Sequence, residues 1–184
     1  MENSSFASWK RVYFLILVLS LFNGCAYSTI EKRFNASSGE HSIGGRVIYV
    51  MLSPDGSYGN IQYNGSGRQL SMRVLEIVRQ RYPLSQLIEI SNELEAIRQT
   101  KARGATHLIS PTIQHWEDRA TAWSGFRDKV RISLKLIGLE SRQVISASEF
   151  ESRNNSITFL NTHPQDLLDE DFEEAVFALF DEKA

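Results

Sequence analysis

Eleven consecutive residues, "HWEDRATAWSG" from His115 to Gly125, hold an imidazole, two carboxylates, a guanidinium, two indoles and two hydroxyls. Three chemistries are open to such a set. Glu117 and Asp118 are the types that share acid–base work in hydrolysis. His115 with Glu117 or Asp118 supplies two metal ligands, and a third would have to come from elsewhere, His163 being a candidate. Trp116 and Trp123 offer broad amphipathic surface, and the Arg119 guanidinium can fork onto a carboxylate. The first chemistry is weakened by strand geometry, because adjacent residues on a strand point to opposite faces. The second finds no support in spacing. His41, His107, His115 and His163 include no pair at the separation of a helical HExxH site. No GxSxG occurs, and the one cysteine, Cys25, lies far away near the N-terminus. The block is therefore expected to be non-catalytic and without metal or cofactor. Two readings stay open. In one it is a recognition surface at a connection between strands, where binding residues tend to lie. In the other Trp116 is core, and Glu117 or Asp118 braces the turn against Arg119 or Arg127.

A second stretch, "PDGSYGNIQYNGSG" from Pro54 to Gly67, is rich in glycine and leads into a helical pattern. A glycine-rich turn at a helix N-terminus can hold an anion on its backbone N–H groups. Here the turn is longer than a phosphate loop, no Lys-Ser or Lys-Thr follows the glycines, and GxGxxG is incomplete. A capping turn is the expectation, with Ser66 or a neighbour as cap. The candidate binding surface is Ser57, Tyr58, His115, Trp116, Glu117, Asp118, Arg119 and Trp123. The alternative is a small-molecule or anion site, or a weak hydrolase, at the sheet edge around His115–Gly125.

The N-terminus speaks to compartment. Lys10 and Arg11 precede the apolar run "VYFLILVLSLF", Val12 to Phe22, and then "NGC". A positive n-region, a short apolar h-region and a small residue before the cut make an export signal. The run is short of the ~20 apolar residues a spanning helix needs. Cys25 directly after Gly24 marks lipidation, with "LFNGC" as a lipobox in which Phe22 and Asn23 depart from the usual pattern and Leu21 lies one position early. Ala26 follows, so no aspartate stands where inner-membrane retention would require one. The chain is accordingly expected to be attached by lipid on Cys25 to the outer membrane, facing the periplasm. A lone cysteine also excludes a disulfide framework. The expected division is a signal peptide over 1–24, a lipidated cysteine and flexible tether over 25–45, and a globular domain over 46–184. Loss of the signal leaves 160 residues with 18 basic and 21 acidic side chains, a net charge of −3. One core's worth of chain follows from that length. So mild an acidic balance gives no footprint for nucleic acid.

The elements that must position these residues are legible from periodicity. "RVIYVMLS", Arg46 to Ser53, reads as a strand buried on both faces. Leu70, Val74, Ile77 and Val78 make one helical stripe that ends before Pro83. "QLIEIS" is a short strand, and Ser91 or Asn92 caps a helix stopped by Gly104. "THLISPTIQHWE" is strand-like, with Pro111 marking a bulge or kink. Val130, Ile132, Leu134 and Leu136 alternate with polar residues, and "VISASEFES" pairs back as a hairpin. Thr162 and Pro164 open a final helix whose stripe runs from Leu168 to Phe180. The expected fold is a single α/β domain, β-α-β-α-β-β-β-α, with a mixed sheet of about five strands and helices packed on it.

The blocks "PDGSYGNIQYNGSG", "ATHLISPTIQHWEDRATAWSG" and "HPQDLL" resemble the signatures of an uncharacterised Gram-negative lipoprotein family, domain of unknown function 4823, from about Arg46 to the C-terminus. The resemblance implies an envelope lipoprotein and no assigned activity, so no catalytic residue is carried over. The element order is also similar to small periplasmic α/β domains of lipoproteins that assist envelope assembly, an analogy of fold only. The expected role is a binding or accessory module with an envelope protein partner.

Overall fold

The computed structural model describes residues 27–33, 46–118, 128–153 and 163–180. Its strands are β1 (Tyr27–Arg33), β2 (Ile48–Met51), β3 (Ser57–Tyr58), β4 (Ile61–Gln62), β5 (Gln86–Ile88), β6 (His107–Glu117), β7 (Lys129–Gly138) and β8 (Gln143–Arg153). The helices are α1 (Ser66–Arg81), α2 (Glu93–Ala102) and α3 (Glu170–Phe177), with a 3-10 turn over Pro164–Leu167. Six strands form one sheet in the order β1-β8-β7-β6-β2-β5, and β3 and β4 form a small hairpin. β2 pairs in parallel with β5 and β6. β6, β7, β8 and β1 are antiparallel in turn. This is the expected mixed α/β sheet, parallel where helices return the chain and antiparallel where tight turns do.

Alternation along the strands divides the apolar residues between two cores. Ile48, Val50, Ile109, Val130, Ile132, Leu134 and Phe150 face α1 and α3, where Leu70, Val74, Phe172 and Val176 meet them. Phe150 and Phe172 pack edge to face with ring centroids 5.1 Å apart. Tyr49, Met51, Leu108 and Ile137 face the other way and join Ala96 of α2. α2 covers β2, β6 and the adjoining end of β7 on that second face. Over β7 and β8 the same face carries Lys129, Arg131, Lys135, Glu149 and Glu151, none of them buried.

Three expectations change. Residues 27–33 were expected in a flexible tether, but they form edge strand β1, paired with β8 from Tyr27↔Arg153 to Arg33↔Ala147. A polar segment with Thr29 and Ile30 has no apolar period to announce it, and ladder hydrogen bonds to an existing edge recruit it without one. The bulge expected at Pro111 falls further along, between Ile113 and His115, and Pro111 keeps its place opposite Leu134. It sits inside β6 beyond Ile109, the last residue of β6 that β2 pairs with, where a strand with a free side tolerates a missing N–H. The final helix is two pieces. Pro164 opens the 3-10 turn with His163 as its cap, Thr162 lying outside the described residues, and α3 starts afresh where the Asp169 carboxylate accepts from Asp171 N–H. Asn92 does cap α2, accepting from Glu95 N–H at 3.0 Å, and Gly104 follows it at φ +77°.

Candidate functional site: the end of strand β6

The register of β6 against β7 slips between Ile113 and His115, leaving exposed Gln114 as an extra residue. Side chains alternate with period two, so one added residue exchanges the faces of all that follow. The slip turns Trp116 opposite Val130 and into the core, 2% exposed. It turns His115 and Glu117 to the other face, opposite Arg131 and Lys129. Trp116, placed among candidate surface residues from its type, is thus unavailable as a surface. Glu117 is also buried, at 6% exposure.

His115 and Glu117, two apart on one face, meet directly: Nε2 and Oε2 are 2.8 Å apart. Tyr58 sets the edge of its ring on the imidazole, centroids 5.1 Å apart at 72°. Asp118 goes elsewhere. Its backbone N–H donates to the Tyr63 hydroxyl at 3.3 Å, and its carboxylate lies 3.5 Å from His163 Nδ1. The adjacent carboxylates therefore engage different partners and do not form an acid–base pair. His163 is drawn to Asp118 and not to His115 and Glu117. Among the described residues no group of three His, Cys, Asp or Glu is placed to hold a metal ion. Of the remaining candidates, Ser57 is exposed on the hairpin. Arg119 and Trp123 lie outside the described residues, as does Arg127.

The glycine-rich loop locks the hairpin onto β6 and α1. A Cβ on Gly56 would stand 2.7 Å from Trp116 Cβ and 2.8 Å from Ile113 Cγ2, so only glycine lets the loop cross there. Gly56 N–H donates to Ser66 Oγ at 2.9 Å, and that hydroxyl donates to the Tyr63 carbonyl at 2.7 Å. At the start of α1 the N-cap is Gly65, at φ +87°, with no side-chain cap bond of its own. Asp55 supplies the missing acceptor, taking Gly67 N–H at 2.9 Å. The helix N-terminus that might have bound an anion already holds a carboxylate of the same chain. Of the expected caps, Ser66 or a neighbour, it is the neighbour Gly65 that caps, and Ser66 braces the loop from the first helical position.

Beside this corner lies a cross-strand ionic group on the open face. Glu151 of β8 is paired with Lys129 at 2.8 Å and with Arg131 through a charge-assisted hydrogen bond. Partial burial pushes its carboxyl up, and the two cations outweigh that and hold it below its ordinary value. Sequence reading did not single out Tyr63, Asp55 or Glu151. Alternation in β7 and β8 gave a sign of the last, since it puts Lys129, Arg131 and Glu151 on the wet face.

A family model described as a domain of unknown function (DUF4823) matches residues 42–179. No curated protein matches the sequence. Among solved structures, the PelC dodecamer from Paraburkholderia phytofirmans shares the fold, with a TM-score of 0.61 at 13% identity over 85% of this chain and 100% of that one. A point variant of the same PelC gives 0.58 at 12% identity, over 84% and 98%. Lipoprotein GNA1162 from Neisseria meningitidis is a weaker likeness, with a TM-score of 0.40 at 11% identity over 61% and 85%. No helix among the described residues is long and apolar enough to cross a membrane.

Proposed function

The chain belongs to the family described as a domain of unknown function (DUF4823), a description without an activity, and from that premise we propose that it is a lipid-anchored envelope protein that works by binding. Attachment is through acyl chains on Cys25, at the periplasmic side of the outer membrane, and the domain serves as a binding or accessory module for envelope assembly or maintenance. The anchor is supported by the lone cysteine following a basic and then apolar N-terminal run. More than one chain on that residue holds a protein stably on a bilayer.

The observation that carries the binding reading is what the corner does with its reactive groups. His115 and Glu117 bond each other, the Asp118 carboxylate lies 3.5 Å from His163 Nδ1, and Trp116 fills the core. Side chains committed in this way make a stiff platform rather than a set of free reactants, and Trp123 and Arg119 follow directly in the chain. Pull-down with in-cell crosslinking tests it. A folded Trp123→Ala variant is expected to lose an envelope protein that the wild type captures, and an unchanged set of captured proteins would remove the reading. Mass spectrometry of the mature N-terminus tests the anchor separately. Acylated Cys25 is expected, and a free Cys25 or cleavage elsewhere would refute it.

Self-assembly is a second reading, favoured by the PelC fold neighbour being a dodecamer whose whole chain is covered. Native mass spectrometry of the mature domain reads it directly: an oligomer of defined copy number is expected, and a monomer at tens of micromolar rejects it.

A further inference from the structure

The strand register determines which end of this domain meets the membrane. If Cys25 is acylated, as proposed above, only Ala26 separates it from the first residue of β1. Two residue steps span at most about 7 Å. The lipid is therefore joined almost directly to a strand, and seven residues of that strand are paired with β8. Tyr27 stands opposite Arg153, Arg153 opposite Lys129, and Lys129 opposite Glu117. The first residue of β1, the last of β8, the first of β7 and the last of β6 thus lie in one row. With about 4.8 Å between neighbouring strands, the row reaches from β1 to β6 in roughly 15 Å.

We infer that this sheet end rests on the lipid leaflet, with Arg153, Lys129, Asp118 and His163 at the headgroup surface. The opposite end, at the β7–β8 turn over Leu139–Arg142, points away into the periplasm. β7 has ten residues, so the two ends stand about 30 Å apart along the strands. The inference rests on lipid attachment at Cys25 and adds an orientation to it. It also names the first partner of the β6 corner as the leaflet itself, and any protein that binds the corner must reach it in the plane of the membrane. A twenty-residue tether would have left the domain free to turn; a two-residue one holds it by an edge strand.

The test uses the lipidated full-length protein in vesicles of phosphatidylethanolamine and phosphatidylglycerol. Acylation blocks Cys25, the chain's only cysteine, so one introduced cysteine takes a nitroxide label at a chosen place. Arg153→Cys and Asp118→Cys report the anchored end from two strands, so loss of fold in one leaves the other. Glu140→Cys reports the far end. A nickel chelate carried on lipid headgroups is expected to relax labels at the first two positions several-fold more strongly than the third. Equal relaxation, or stronger relaxation at Glu140→Cys, overturns the orientation when the same sample shows acylated Cys25. An unmodified Cys25 overturns the orientation and the anchor together.

Discussion

Residue types announce chemistry only while their side chains are uncommitted. His115, Glu117 and Asp118 have the composition of an active site, yet the first two satisfy each other and the carboxylate of the third faces His163, its backbone N–H donating to the Tyr63 hydroxyl. Small residues carry the greater constraint. A Cβ on Gly67 would stand 2.1 Å from the Ser53 carbonyl oxygen and 2.8 Å from that of Pro54, backbone atoms that cannot swing aside. Gly67→Ala is therefore expected to cost about 3 kcal/mol or more, read as a fall in the denaturant midpoint of the mature domain, whereas Gly59→Ala meets no contact and bears only the strain of its positive φ. Glu151 gives a pH signature. Its carboxyl is depressed in the folded state, so its contribution is present above the ordinary carboxylate range and is lost as pH falls through the depressed value. Glu151→Gln is expected to lose about 0.5 kcal/mol at neutral pH, a half-exposed pair being screened. In urea melts at a series of pH values the gap to wild type should narrow as pH falls below the ordinary carboxylate range.

At the scale of elements, the β6 bulge matters more than any of the side chains it re-aims. Gln114 is exposed, so its own contacts contribute little. Removing it restores plain alternation and carries Trp116 out of the core while turning the His115–Glu117 pair inward. Deletion of Gln114 is expected to destabilise the domain by about 3–5 kcal/mol, the scale of losing a buried tryptophan, while Gln114→Ala stays within about 0.5 kcal/mol of wild type. Denaturation of the two variants side by side separates register from side chain, and equal losses would refute the role given to the bulge. The loop from Ser53 to Tyr63 depends on α1 in the same cooperative way. Ser53 N–H donates to Ser71 Oγ at 2.8 Å and Gly67 N–H to Asp55 Oδ1 at 2.9 Å, so loop and first turn order one another.

For the whole molecule, β1 completes the sheet and couples the domain to its N-terminus. A chain starting at Arg46 lacks β1 and bares the outer edge of β8, eleven residues long. Such an edge invites pairing with other chains. The truncated domain is expected to melt earlier than one starting at Ala26 and to self-associate, seen by light scattering on heating; equal behaviour would show β1 to be dispensable. Periods of 2 and 3.6 record which side of each element is dry, so β2, β5, β6, β7 and β8, the helices between and after them, the mixed sheet and the family are legible in the chain alone, whereas β1 and the β3–β4 hairpin are not. The remaining features come from pairing and packing between elements. Edge strand β1 forms by backbone pairing with a neighbour distant in sequence, and a backbone ladder leaves no apolar period to read. The slip at Gln114 is a property of two strands in register, invisible in either alone. The partners of His115, Asp118 and Gly67 follow from that register and from how closely α1 approaches the loop, distances that residue types do not encode.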